Sequence, residues 1–393
     1  MPTLDSEEAA RRLGVKLPTL YAYVSRGLLA SHRAPDARRS LFDVDDVERL
    51  ARRARGGRRV ETRLATVVTA VTQLRPDGPA YRGVPAIELA RRASCEEVAE
   101  LLMASGPLDW SPVRLEPPPE LPVAGLLSWA VVMAAAEDPL RSDLRPTSVA
   151  RAAARLVATL VDVVPPADAP PAEVPPLVLD DGSMRHDSLA GRLAARLVPV
   201  ASPELVHTVN TVLVLMADHE LATSTVAVRV AASTRADVYD AVLAGLATIA
   251  GPLHGGASAA AYALLAEAGQ YGAAHALNEA LRQQGRLPGF GHAVYTDGDP
   301  RVAPMLDSFD RLADHDTRSL VHEVVALAAA HDVPDPNVDL VLAAICLAAG
   351  LTPDAGRTLF TIARVPGWVA HYLEELDERP LRFRARAVYA AGE

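Results

Sequence analysis

The stretch GPLHGGASAAAYALLAEAGQ, residues 251–270, sets His254 between a proline and two glycines and then runs into alanine-rich sequence. Alanine and leucine at this density predict a helix from Ala257 to Gly269. His254 then stands at the positive end of a helix dipole, which disfavours its protonation and leaves it a neutral hydrogen-bond donor. Gly255 and Gly256 remove side chains here, so a ligand can approach the backbone closely.

Three more segments have the same character. ADHELATST (217–225) delivers His219, LPGFGHAVYTDGDPR (287–301) delivers His292 and Arg301, and DPNVD (335–339) delivers Asp339. Arg364 follows in TIARVPGW (361–368), and Arg384 stands near the end. A lone histidine in a turn is more often structural than catalytic. The argument rests on three of the 11 histidines sharing this framing. The arginines carry less weight, because Lys16 is the only lysine and arginine is common throughout. In isolation Asp339 reads as a helix cap or turn residue.

This toolkit suits carbon–carbon bond formation on a dianionic acceptor. Removing a weakly acidic proton beside a thioester needs a base at the carbon and a donor at the oxygen where charge develops. Asp339, which closes a Pro-Asn-Val-Asp turn, is the candidate base, and His254 is the candidate donor. Guanidinium forks bind carboxylates in paired hydrogen bonds that lysine cannot copy. Other chemistries lack their motifs: the sequence has no GxSxG elbow, no HExxH, no GxGxxG and no GxxxxGK[ST] loop. No metal ligand set is expected.

In this order and with these neighbours, the segments resemble the citrate synthase family. The resemblance implies that His292 polarises and protonates the carbonyl of an oxo acid and that His219 hydrogen-bonds the same substrate. It implies that Arg301, Arg364 and Arg384 hold the dicarboxylate, the last reaching into a neighbouring subunit's site, so that a homodimer is expected. Leu253, Gly255, Gly289 and Gly291 are the expected coenzyme A contacts. Oxaloacetate and acetyl-CoA are the expected substrates, with propionyl-CoA giving 2-methylcitrate as the alternative, and no permanently bound cofactor is expected. LVLAAICLAAG after DPNVD, and RARAVYAAG in place of an Arg-Pro-Arg frame, depart from the family pattern.

Half of the 393 residues are hydrophobic and only 4% are aromatic, which points to an all-α protein with a large core. Domains are expected at 1–58, 62–256, 257–350 (a mobile small domain) and 351–393 (the return to the large domain). The proline-rich run from Val163 to Leu177 reads as an extended surface loop. No apolar run reaches membrane-spanning length, and the two cysteines, Cys95 and Cys346, sit in no metal spacing, so a cytoplasmic enzyme is expected.

The first 60 residues hold 13 Lys plus Arg against 8 Asp plus Glu, whereas the whole chain has a net charge of −10. A basic head on an acidic body suggests a separate partner for the head. Asp5 and Glu8 form a potential capping box, Pro18 suits the first turn of a second helix, HRAPDARR makes a basic wing, and DVDDVERLARRAR makes a third helix. The head resembles the helix-turn-helix of MerR-like and excisionase-like proteins. That resemblance implies DNA contacts from Thr19, Tyr21, Arg26, Arg33, Arg38 and Arg39. A module that docks on protein is the alternative, and a metabolite-sensing regulator built on the enzyme fold is the competing function.

Overall fold

The computed structural model describes residues 3–384 apart from 14, 26–28, 30, 34–39, 45, 48–65, 119, 168–173 and 253. The chain divides into two compact units, 1–67 and 68–393.

In the first unit, β1 (Thr3–Asp5), α1 (Ser6–Leu13), α2 (Leu17–Ser25), β2 (His32–Arg33) and β3 (Ser40–Asp43) follow in sequence. The strands form an antiparallel sheet in the order β1-β3-β2, with His32 opposite Leu41. Asp5 caps α1 by accepting from the Glu8 amide at 2.8 Å. Leu4, Ala9, Ala10, Leu20, Leu29, Phe42 and Val47 close a small core. Two helices followed by the strand pair β2–β3 agree with the expected helix-turn-helix region, while residues 34–39 of the expected basic wing lie outside the described residues. Arg26, Arg38, Arg39 and most of the third helix lie outside the described residues, as does the side chain of Arg33.

The second unit is mostly helical. A hairpin sheet, β4 (Thr72–Arg75), β5 (Gly78–Tyr81) and β6 (Val84–Pro85), leads into α3 (Ala86–Arg92), α4 (Cys95–Met103), α5 (Val123–Ala136) and α6 (Pro146–Asp162). After the short pair β7 (Leu177–Val178) and β8 (Met184–Arg185) come α7 (Leu189–Leu197), α8 (Pro203–Leu215), α9 (Thr223–Ser233) and α10 (Val238–Ile249). Then follow α11 (Ala257–Tyr271), α12 (Ala273–Gln284), α13 (Val302–Leu312), α14 (His315–Ala329), α15 (Val338–Ala348) and α16 (Pro353–Leu376). The composition did not announce the small antiparallel sheets, of which β5 is buried and contributes Tyr81 to the core.

Side-chain caps start many of these helices: Ser94 with a reciprocal Glu97, Ser188, Ser202, Asp237, Asp314 and Asn337. Each satisfies an amide that the first helical turn leaves free. The 24-residue α16 is the axis of the unit, buried along most of its length from Ala355 to Tyr372. It packs against α4, α6, α8, α9, α10, α11 and α15. Gly245 on α10 lets Trp368 of α16 approach; an added Cβ there would lie 2.8 Å from the indole ring. Among the described residues no helix is long and apolar enough to cross a membrane, and no cluster of His, Cys, Asp or Glu could hold a metal ion.

Candidate active site

His219 follows the end of α8, in a turn set by its neighbours. The Glu220 amide donates to Asp218 Oδ2 at 3.0 Å, and Glu220 takes a left-handed φ of 54°, uncommon for a residue with a side chain. The loop before α11 presents His254: its amide donates to Gly251 O, and the Gly255 amide donates to Ile249 O at 2.9 Å. A Cβ on Gly255 would meet that same oxygen at 2.5 Å, so the glycine allows the turn itself.

His292 and Asp339 come together because two loops hydrogen-bond to each other. The Gly291 amide donates to Asp335 O at 2.8 Å, the Asn337 amide to Gly289 O at 2.9 Å, and Asn337 Nδ2 to Gly291 O at 2.8 Å. Gly289 and Gly291 take φ of 81° and 76°, and a Cβ on Gly289 would lie 2.8 Å from Leu340 Cβ. These glycines therefore have a backbone role. The cap of α15 is Asn337, whose Oδ1 accepts from the Asp339 amide at 2.9 Å. Asp339 is thereby relieved of capping, and its carboxylate is available for other work.

His219, His254, His292, Arg301, Asp339 and Arg364 all line one cavity of about 210 Å³. Arg384 is exposed and does not line it, and Leu253 lies outside the described residues. Thr19 and Tyr21 are exposed on α2.

Electrostatics sort these groups into roles. Burial pushes the Asp339 carboxyl up to about 6; nearby Arg301 opposes the rise and Asp299 adds to it. A carboxylate poised there suits proton abstraction near neutral pH. Burial, followed by the Arg364 charge, brings His254 down to about 4. Both effects favour the neutral imidazole. His219 is driven far below its ordinary range by burial and by Arg301, Arg364 and His292. His292 is also lowered, mainly by burial.

Hydrogen bonds fix where the ring protons are. His292 Nδ1 accepts from the amides of Val294 and Tyr295, each at 3.0 Å, so its N–H is Nε2, near Asp299 Oδ2 at 4.0 Å. His254 Nε2 lies 2.8 Å from Ser224 Oγ, which itself accepts from Trp368 Nε1 at 3.2 Å. The indole can only donate, so the serine proton is available to His254 Nε2, the arrangement that puts the imidazole proton on Nδ1. His219 Nε2 is buried with no partner among the described residues.

The arginines are held rigidly. Arg301 forms a fork with Asp299, Nε to Oδ1 at 3.0 Å and Nη2 to Oδ2 at 2.7 Å. Arg364 donates Nε to Met216 O at 2.8 Å and stands 4.8 Å over the Phe360 ring; burial lowers it to about 10, which leaves it charged. Tyr295 packs its ring 5.6 Å from His219 and 5.1 Å from His292. Ser224, Asn337, Tyr295, Asp299 and Trp368 were not singled out from the sequence, although all of them lie within the quoted segments.

Residues 114–386 match the citrate synthase C-terminal domain, and residues 3–55 match a helix-turn-helix domain. The chain belongs to the citrate synthase family. It is 35% identical over 193 residues to citrate synthase 2 of Bacillus subtilis (strain 168), covering 48% of this chain and 52% of that one. It is 36% identical over 188 residues to 2-methylcitrate synthase 2 of Corynebacterium glutamicum, covering 47% and 49%. The chain thus spans about half the length of the curated relatives it matches. Its fold is that of citrate synthase from Pyrobaculum aerophilum, with a TM-score of 0.68 at 24% identity over 92% of this chain and 95% of that one. The citrate synthase of Thermoplasma acidophilum, solved with carboxymethyl coenzyme A and oxaloacetate, also aligns at 0.68 and 24%, over 84% and 95%.

Proposed function

We propose that this protein condenses an acyl-CoA with oxaloacetate, acetyl-CoA giving citrate. The observation that carries the reading is the shared cavity: a carboxyl raised to about 6, two imidazoles with assigned N–H groups, and two buried guanidiniums. Asp339 takes the proton from the carbon beside the thioester while His254 Nδ1–H donates to the thioester oxygen. The enolic carbon then attacks the keto carbon of oxaloacetate, and His292 Nε2–H donates to the oxygen that becomes the new hydroxyl. Water hydrolyses the thioester and releases the CoA thiol. His219, Arg301 and Arg364 hold the oxo acid, and the coenzyme A contacts proposed are Gly255, Gly289, Gly291 and Leu253, the last outside the described residues.

Arg384, exposed and away from its own cavity, suits delivery to the site of a second subunit, and the active unit is a homodimer. Residues 257–350 form the small domain that closes over the substrates, excluding water until the bond is made. Thr19 and Tyr21, with Arg26, Arg33, Arg38 and Arg39, give the head a DNA-binding role; anisotropy of labelled duplex DNA titrated with the full chain at low and high salt tests it.

Free-thiol release from acetyl-CoA and from propionyl-CoA, each with and without oxaloacetate, tests the reaction. Oxaloacetate-dependent release is the expected result, and the ratio of rates chooses between citrate and 2-methylcitrate. A folded dimer that releases no thiol from either points instead to a regulator using the fold as a metabolite sensor.

A further inference from the structure

One face of α16 grips the three residues that precede His219. Arg364 donates to Met216 O, Gly367 lets the helix meet Ala217 O, and His371 Nε2 lies 3.2 Å from Asp218 Oδ2. The spacing of these helix residues, 364, 367 and 371, follows a single helical stripe. Asp218 Oδ2 also accepts from the Glu220 amide, so its carboxylate bridges across His219.

His371 is itself locked. Its side chain and those of Asp218, Arg229 and Glu375 are fully buried. Arg229 Nη1 lies 2.9 Å from His371 Nδ1, and a guanidinium can only donate. Nδ1 therefore accepts, and the ring N–H at Nε2 points to Asp218. Arg229 is held in turn by Glu375 Oε2 at 2.9 Å and Glu374 Oε2 at 2.6 Å, and Arg382 closes a fork on Glu375 at 2.7 and 2.6 Å. None of His371, Arg229 and Glu375 lines the substrate cavity.

We propose that His371 is a positioning residue for the oxo-acid half of the site, acting through Asp218 to fix the turn that carries His219. The proposal rests on the condensation reading for its substrate. His254 and Asp339 belong to other segments, so the acyl half stays in place when His371 is lost.

The experiment is steady-state kinetics of full-length wild type, His371→Leu and His371→Gln, with Tyr372→Phe as control. Tyr372 is the next residue on the same helix and loses only a bond to Ala236 O. His371→Leu is expected to raise the KM for oxaloacetate about tenfold to a hundredfold, with kcat and the KM for acyl-CoA little changed. The glutamine amide supplies both a donor and an acceptor and is expected to recover most of the loss. A leucine variant with wild-type KM, or one in which both KM values rise together, overturns the proposal. Calorimetric titration with oxaloacetate separates the two claims. Weakened binding in His371→Leu without thiol release in wild type would sink the reaction and keep the positioning role; equal binding together with thiol release in wild type would keep the reaction and overturn the positioning role. Should the leucine variant not fold, nitrogen-15 histidine NMR of the wild type decides. The His371 Nε2–H signal, assigned with the glutamine variant, is expected to shift when oxaloacetate binds, and a stationary signal overturns the role.

Discussion

Ser224 Oγ lies 2.8 Å from His254 Nε2 and engages that ring nitrogen, which leaves Nδ1 as the one offered to a ligand. Trp368 fixes the serine from behind through its indole N–H. Ser224→Ala frees the ring to rotate or change tautomer. We expect kcat to fall about tenfold to a hundredfold with the KM for oxaloacetate nearly unchanged, as steady-state kinetics will read.

Asp339 ties activity and stability to pH in opposite directions. Its folded value of about 6 lies above the ordinary 3.8, so protonation favours the folded chain. That contribution is complete below the ordinary value and is lost as pH rises through the folded one. The ionised carboxylate then costs up to about 3 kcal/mol, an upper figure because the side chain is only partly shielded from water. Asp339→Asn should therefore abolish turnover and raise the melting temperature at about pH 8, with the gain vanishing near about pH 4. In the wild type, kcat/KM should fall as pH drops through about 6.

Asp299→Ala would leave the Arg301 guanidinium buried without its forked partner. Breaking such a pair costs about 3 to 5 kcal/mol. Denaturant melts of the variant should show a loss of this size, and any surviving enzyme should have a raised KM for oxaloacetate.

Gly367 has no room for a methyl group, because Ala217 O and Asp218 Oδ1 occupy that space. Gly367→Ala should push α16 away from the turn before His219. We expect a loss of about 1 to 3 kcal/mol in urea unfolding together with weaker oxaloacetate binding.

The framed motifs were legible because their causes are local. A glycine at positive φ, as at Gly289 and Gly291, and a serine or aspartate starting a helix, as at Ser202 or Asp237, leave a mark within a few residues of sequence. Asp339 misled in isolation for the same reason: a carboxylate in a turn before a helix looks like a cap until Asn337 is seen in that place. His371 gave no signal, since a histidine on an apolar helix reads as core.

The sequence by itself carried the helical class, the helix-turn-helix head and the segments that bring His219, His254, His292, Arg301, Asp339 and Arg364 to one cavity; Arg384 is exposed and does not line it. Tertiary structure alone decided which nitrogen of His292 carries the proton, the burial and the Arg364 charge that lower His254, and that α16 grips the chain beside His219. Those outcomes depend on burial and on contacts between residues far apart in the chain, such as Ser224 with Trp368 and Asp218 with His371. Neither burial nor a distant partner has a fixed local spelling, because the same side chain is charged or neutral, free or bound, according to what the fold brings against it.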